Sequence, residues 1–382
     1  MCGRETDLNS KKIIERKSMG KKLGALLILV GVCLPFSDAL ASTVFDNQPV
    51  ESAASDEVKY NGPLIIKLGT RVDYNREYQK SDVVDETSGF KGNNLMISIQ
   101  GNITNRFSFR FRQRISELKH TNSFFDGTDF MFLKYCFSNK WDVTAGKVAI
   151  EFGNAEYQRE PSEQYILSEY WNNLPCYKFG LNVGFNPTEN DRMVMQVAES
   201  PFKTKEQDLY AYALSWYGNH SWFHTMYSVN MIEYQRGKYV YNLCFGNQLQ
   251  FGKVKVNFDY MNRINDKHNF FKDCTLRGEV MVNPTKYLNL IALAIYNGNK
   301  THDFGDFYLK KGTELTHFGG FVEYSPIPDR DRSLKIHAGY NYYFGQNGYK
   351  NGEPALDRHL VSLGVQWEMD IVALAKKIWN KN

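Results

Sequence analysis

The stretch Arg106-Phe107-Ser108-Phe109-Arg110-Phe111-Arg112-Gln113-Arg114-Ile115 alternates aromatic and cationic side chains. A period of two is the signature of a strand, whose successive side chains point to opposite faces. Phe107, Phe109 and Phe111 then share one face and Arg110, Arg112 and Arg114 the other. Two environments accept that arrangement. In a soluble sheet the phenylalanines cover a core and the arginines meet bulk water; in an outer-membrane barrel the phenylalanines face lipid and the arginines line a watery lumen. The ten residues alone do not choose.

The surrounding chain does. Period-two patterning begins near Leu64 and continues to Trp367, where Val361, Leu363, Val365 and Trp367 oppose Ser362, Gly364, Gln366 and Glu368. It divides into about sixteen strands. Long polar connections, near 76–92, 117–127, 150–177, 200–208, 231–237, 263–273, 297–313 and 345–357, alternate with short turns such as Ser138-Asn139-Lys140, Asn186 to Asn190, Gly218-Asn219, Asn283-Pro284-Thr285 and Ser325 to Pro328. Long loops at one end and short turns at the other describe an all-β, transmembrane, antiparallel up-and-down β-barrel, and a β-sandwich has no reason to sort them that way. An aromatic content of 15% suits strands and interfacial girdles, and the negative mean hydropathy argues against a bundle of membrane helices. The rival of another class is a secreted or surface β-rich binding protein, an adhesin using exposed Tyr and Trp.

At the N-terminus, Lys21-Lys22 precedes the apolar run Leu23 to Leu34 and then Ala39-Leu40-Ala41. That is the layout of a secretory signal, with an apolar run too short to span a bilayer and a small-x-small cleavage site. The expected organisation is an N-terminal extension and cleaved signal peptide at 1–41, with Met19 as a second candidate start. A flexible periplasmic lead-in at 42–62, the barrel at 63–369 and a C-terminal tail at 370–382 follow. In the tail, Ile371, Leu374, Ala375 and Ile378 keep helical spacing. Residues 1–41 hold seven of the 46 Lys/Arg and four of the 42 Asp/Glu, which leaves 39 against 38. So balanced a chain carries no field suited to nucleic acid. Cys136, Cys176, Cys244 and Cys274 are widely spaced with no C-x-x-C, and nothing singles out a metal site or a disulfide pair.

Trp141-Asp142-Val143-Thr144-Ala145-Gly146-Lys147, with Phe152-Gly153 after it and Phe130-Met131-Phe132-Leu133-Lys134-Tyr135 before it, resembles the phosphate-selective porin O and P family. Gln164 to Trp171 and Cys176-Tyr177-Lys178-Phe179-Gly180 are similar to the branch of that family found in Bacteroidetes-type bacteria. The resemblance implies a sixteen-stranded porin of a Gram-negative outer membrane, homotrimeric, with a long loop folded into the pore. Its surroundings would be outer-membrane lipid and lipopolysaccharide. The family's dense ladders of arginine and lysine are present here only in part.

Neither G-x-S-x-G, H-E-x-x-H nor a phosphate-binding Gly-rich loop occurs, so no enzyme, cofactor or metal is expected. The work of a pore falls to its lining. Taking the faces opposite the apolar ones, the lumen receives Lys67, Arg71, Arg110, Arg112, Arg114, Lys134, Lys178, Arg192, Lys253, Lys255, Arg277, Lys335 and Arg358. The carboxylates on those faces are fewer: Asp73, Asp142, Asp259, Glu279, Glu323 and Glu368. Excess fixed positive charge between low-dielectric walls concentrates anions. A lining whose bases pair with lumen and loop acids would instead be mixed and weakly selective. The loop from Glu151 to Tyr177 is the candidate constriction, with Glu156, Tyr157, Arg159, Glu160, Glu163, Tyr165 and Glu169 as its working residues and a helix start at Pro161-Ser162-Glu163. Its acids are expected to face the Arg110/Arg112/Arg114 wall across the eyelet. The function read from the sequence is passive diffusion of small hydrophilic solutes with a mild preference for anions, phosphate among the candidates.

Overall fold

A computed structural model describes residues 64–79, 82–117, 123–205, 207–264, 271–300, 309–328, 332–346 and 354–379. The expectations for residues 1–41 and 42–62 lie outside these. Sixteen long strands follow one another: β1 Ile65–Gln79, β2 Gly89–Asn102, β3 Phe107–Arg114, β4 Thr128–Cys136, β5 Trp141–Ala149, β6 Tyr177–Phe185, β7 Asp191–Glu199 and β8 Tyr210–His220 make the first half. The second half is β9 Phe223–Gln235, β10 Lys238–Phe251, β11 Val254–Ile264, β12 Asp273–Thr285, β13 Leu288–Asn299, β14 Thr313–Pro328, β15 Arg332–Gln346 and β16 Pro354–Asp370. A two-residue strand, Asp82–Val83, adds to the far end of β1.

Each strand pairs with the next, and β1 pairs antiparallel with β16 from Lys67↔Asp370 to Gln79↔Arg358. The sheet therefore closes on itself. Closure removes the free edges that hydrocarbon cannot tolerate, and it overturns the rival sandwich-like reading. No helix among the described residues is long and apolar enough to cross a membrane. Helices are short: α1 Ala155–Gln158, α2 Glu169–Asn173 and, beyond the last strand, α3 Ile371–Trp379.

The faces fall as the opening stretch requires. Phe107 is exposed on the outside, while Arg110 and Arg112 are buried inside. On β16 Leu363 is 56% exposed, and facing the interior from β15 His337 is 1% exposed. Aromatic pairs ring the outside near the short turns: Trp141 stacks on Phe185 at 4.4 Å, and Phe107 leans on Tyr135 at 4.6 Å. Amphipathic rings at headgroup depth are what a barrel places there.

Three turns differ from expectation. The hairpin signal at Gly218-Asn219 does not turn the chain; β8 runs on to His220, which pairs with Phe223, and Ser221-Trp222 make the turn with Ser221 at φ 55. Asn283-Pro284-Thr285 stays in β12, where a register shift between Val282 and Thr285 absorbs the proline. The long connection expected at 231–237 is a two-residue turn, Arg236-Gly237, because Gly237 adopts φ 72 and lets β9 run to Gln235. Cys176, Cys244 and Cys274 are buried free thiols, and Cys136 is a half-buried one.

An inner seam of Met281, Ile291, Leu293, Ile295 and Phe321 is apolar, and Ile166 from the loop after β5 packs onto it. Gly339 makes room for that seam: a Cβ built on it would sit 2.0 Å from the Phe321 ring. Gly339→Ala is expected to destabilise the barrel by on the order of 1–3 kcal/mol through overpacking, read as a lower urea midpoint. Gly92→Ala, whose Cβ meets nothing within 4 Å, is the control expected to leave the midpoint unchanged.

Candidate functional site

The segment between β5 and β6 turns inward and crosses the lumen. The helix start expected at Pro161-Ser162-Glu163 yields only a single 3-10 turn, Pro161–Glu163; the segment forms α1, that turn and α2, joined by extended backbone. The barrel wall provides the reason, since it binds the loop's main chain directly. Asp259 on β11 accepts from the N–H groups of Ala155 (2.7 Å) and Glu156 (3.1 Å). The guanidinium of Arg71 on β1 donates to the carbonyls of Gln164 (2.7 Å) and Ser162 (3.3 Å). Ser228 on β9 accepts from Gly153 N–H at 2.9 Å, and a Cβ on Gly153 would lie 2.3 Å from the Tyr227 backbone. Only glycine allows that approach.

Side chains complete the seating. Glu160 bridges Arg110 (2.9 Å) and Arg112. Arg112 also pairs with Asp129 at 2.9 Å and donates to the Tyr177 hydroxyl at 2.7 Å, and Arg114 shares Asp129 at 2.8 Å. Arg110 and Arg112 each lie 4.5 Å from the centre of the Phe130 ring. Arg159 grips Glu279 on β12 with contacts of 2.5 and 2.9 Å, and Arg277 takes the same carboxylate. Tyr165 donates to Glu323 at 2.6 Å and stacks on Phe321 at 4.6 Å. Glu163 lies 3.9 Å from Lys335, and Glu169 takes its place beside Asn297 and His317.

Of the seven constriction residues named from the sequence, five present themselves to the lumen water or its wall: Arg159, Glu160, Glu163, Tyr165 and Glu169. Glu156 and Tyr157 do not. Glu156 is buried and accepts from Ser168 N–H (2.6 Å) and hydroxyl (2.7 Å), holding α2 against α1. Tyr157 packs on Phe152 and Trp171. Of the loop acids expected to face the Arg110/Arg112/Arg114 wall, Glu160 does so and contacts it directly.

The bases named from the sequence are distributed as follows. Lys67 pairs with Glu368 (2.9 Å), Arg71 with Asp73 (2.9 Å), Arg358 with Glu77 (3.0 Å), and Lys134 and Arg192 share Asp142 at 3.6 and 2.7 Å. Lys253 lies in the turn between β10 and β11, outside any strand. Lys178 sits half-buried at the rim end of β6, with Glu199 and Asp126 as its strongest opposite charges. Lys255 faces inward between Arg159 and the Glu279 and Glu163 carboxylates, with no ion pair of its own among the described residues.

Sequence reasoning missed Asp129, Glu77 and Glu151. A register shift between Arg112 and Gln113 turns Asp129 toward the arginines, and such a bulge is invisible to a period-two reading. Glu151, fully buried just past β5, accepts from the Tyr217 hydroxyl and from Asn182 at 3.1 Å, while Asn230 binds its carbonyl at 2.6 Å. No periodic signal marks it. His224 and Ser228 share a face of β9, but Ser228 is committed to Gly153 and Asn230.

The model of the phosphate-selective porin O and P family matches residues 65–216, which run from β1 into β8. The fold agrees: an anion-selective porin of Comamonas acidovorans superposes with a TM-score of 0.58 at 8% identity, over 80% of this chain and 99% of that one. The outer membrane channel DcaP of Acinetobacter baumannii gives 0.57 at 9%, over 80% and 97%, and Salmonella typhi OmpF gives 0.50 at 11%, over 79% and 97%. No curated protein matches the sequence. The barrel has the fold of these porins and channels.

Two loop carboxyls respond oppositely to the barrel's interior. Burial alone would raise Glu160, but the Arg112 and Arg110 guanidiniums outweigh it and hold this carboxyl below the ordinary range. Burial pushes Glu151 up to about 7, against the pull of the Tyr217 hydroxyl, with Arg192 and Asp142 as its charged neighbours. A carboxyl whose folded pKa is raised stabilises fully below its unfolded value of 4.5 and loses that contribution as pH rises toward 7. Amide protection factors at the loop's Glu151 end, with the intrinsic pH dependence of exchange divided out, are therefore expected to fall between about pH 4.5 and 7, and Glu151→Gln to flatten that fall; an unchanged profile in the variant removes Glu151 as the cause. Arg112→Ala, which leaves Asp129 to Arg114 alone and Glu160 to Arg110 alone, is expected to cost on the order of 1–3 kcal/mol and to raise single-channel conductance by loosening the loop.

Proposed function

We propose that this porin passes small hydrophilic solutes by diffusion, with the inward loop setting the size limit and the lumen charge giving a mild preference for anions. One observation carries the preference: in the ion pairs seen among the described residues, bases converge on shared carboxylates. Arg110, Arg112 and Arg114 divide Glu160 and Asp129; Lys134 and Arg192 divide Asp142; Arg159 and Arg277 divide Glu279. Guanidinium and ammonium groups gathered in this way, within a low-dielectric surround, favour anions in the water they line. Lys255 adds an ammonium without an ion pair beside Arg159. Glu169 and Glu323 offset part of the excess, which keeps the preference modest. Arginine forks recognise carboxylate and phosphate by paired donors, so phosphate belongs among the solutes to try. The name of the Comamonas porin, anion-selective, points the same way.

No covalent step is involved. Solutes meet fixed charges, lose part of their hydration at the loop and leave. Homotrimeric assembly and contact with lipopolysaccharide around the outer rim belong to the same proposal and follow from the family resemblance.

The measurement is the zero-current potential of the porin in planar bilayers across a potassium chloride gradient. A potential of the sign for chloride passing faster is expected, and Lys255→Gln should reduce it while leaving the unboiled gel migration of the barrel intact. A potential of the opposite sign in the wild type overturns the anion preference, and an unchanged one in the variant removes Lys255 from it.

A further inference from the structure

β16 ends at Asp370 and α3 starts at Ile371 without a linker. The Asp370 carboxylate accepts the Ala373 N–H at 3.0 Å and caps the helix. Ile371, Leu374, Ala375 and Ile378 repeat at the spacing of one helical face, Val372 and Trp379 flank them, and Lys376 and Lys377 lie on the other side. A helix so divided in a soluble domain buries its apolar stripe, yet no residue of α3 is buried: Ile378 is 66% exposed and Trp379 84%. At nine residues, it is about 14 Å long, far short of a bilayer core of about 30 Å.

Its place in the fold says what covers it. The helix touches β1 and β16 at the end of the barrel where the short turns cluster, the periplasmic end. The outer faces of those strands carry Val72, Val361, Leu363 and Val365, all exposed to the hydrocarbon. The apolar stripe of α3 thus begins where the lipid-facing band stops. Trp379 has the amphipathic ring that settles at headgroup depth, and lysines on the polar side reach lipid phosphates.

We propose that α3 is an interfacial anchor lying on the periplasmic leaflet of the outer membrane, with Leu374, Ile378 and Trp379 at the top of the acyl chains and Lys376 and Lys377 among the headgroup phosphates. This rests on the outer-membrane reading of the barrel. The partner is the phospholipid surface, and the contact extends the barrel's hold on the membrane past its last strand.

The test uses the full chain in vesicles of phosphatidylethanolamine and phosphatidylglycerol carrying bromine at chosen depths of the acyl chain. Trp379 is isolated as the difference in fluorescence between wild type and Trp379→Phe. Shallow bromines are expected to quench it more than deep ones, aqueous iodide hardly at all, and Ile378→Glu to lower the bromine quenching while the shift in gel migration on boiling persists. Strong iodide quenching without bromine quenching places the helix in water and overturns the proposal. So does shielding from both quenchers, which means that a second copy covers the stripe, and so does bromine quenching unchanged by Ile378→Glu. Loss of the boiling shift in the wild type would refute the barrel itself and is read separately.

Discussion

Hydrocarbon offers a peptide group no hydrogen-bond partner, and the pairing of β1 with β16 answers that constraint. With the sheet closed, every strand must give one face to lipid and the other to the interior. The chain therefore folds inside out relative to a soluble domain, with Leu363 outside and His337 within. The interior then has to hold charges away from bulk water, and the rest of the architecture follows from that need. Asp73 is bracketed by Arg71 and His337 at 2.9 and 2.7 Å, Asp142 by Arg192 and Lys134, and the arginine row of β3 by Asp129 and Glu160.

The inward loop belongs to this charge economy as much as to transport. Removing Glu160 would leave Arg110 and Arg112 facing one another over Phe130, so the loop stabilises the wall that it narrows. The same contacts that narrow the lumen therefore neutralise part of its charge. The inward bases gather around shared carboxylates, at Glu160/Asp129, at Asp142 and at Glu279, and do not form the long ladder that a count of inward bases suggests. Selectivity and rigidity draw on one set of side chains.

Much of this was legible in the sequence, for a physical reason. A strand in a membrane sheet leaves a period-two signal, and sixteen of them left it almost unbroken; Phe107, Phe109 and Phe111 could be assigned to lipid once the alternation of connections was seen. What escaped was set by tertiary geometry. Turn positions shifted by a few residues where Ser221 took a positive φ that its residue type does not announce. Lys178 and Lys253 kept the parity of lumen residues while sitting at a rim and in a turn. Asp129 needed a bulge to reach Arg112, and Glu156 and Tyr157, read as pore residues, pack within the loop. Whether a base is free or paired depends on partners some 50 to 300 residues away, as Arg112–Glu160 and Lys67–Glu368 show, and no local pattern encodes that.

The loop after β5 is fastened to nearly every part of the wall: to Arg71 near the start of the barrel, to Ser228 and Asp259 midway, and to Glu323 and Lys335 close to its end. The early strands can pair before those last partners exist, but the loop cannot finish seating. Insertion of the loop and closure of the cylinder therefore form a single late event of high contact order, in which the wall has to shut around a segment already threaded inside it.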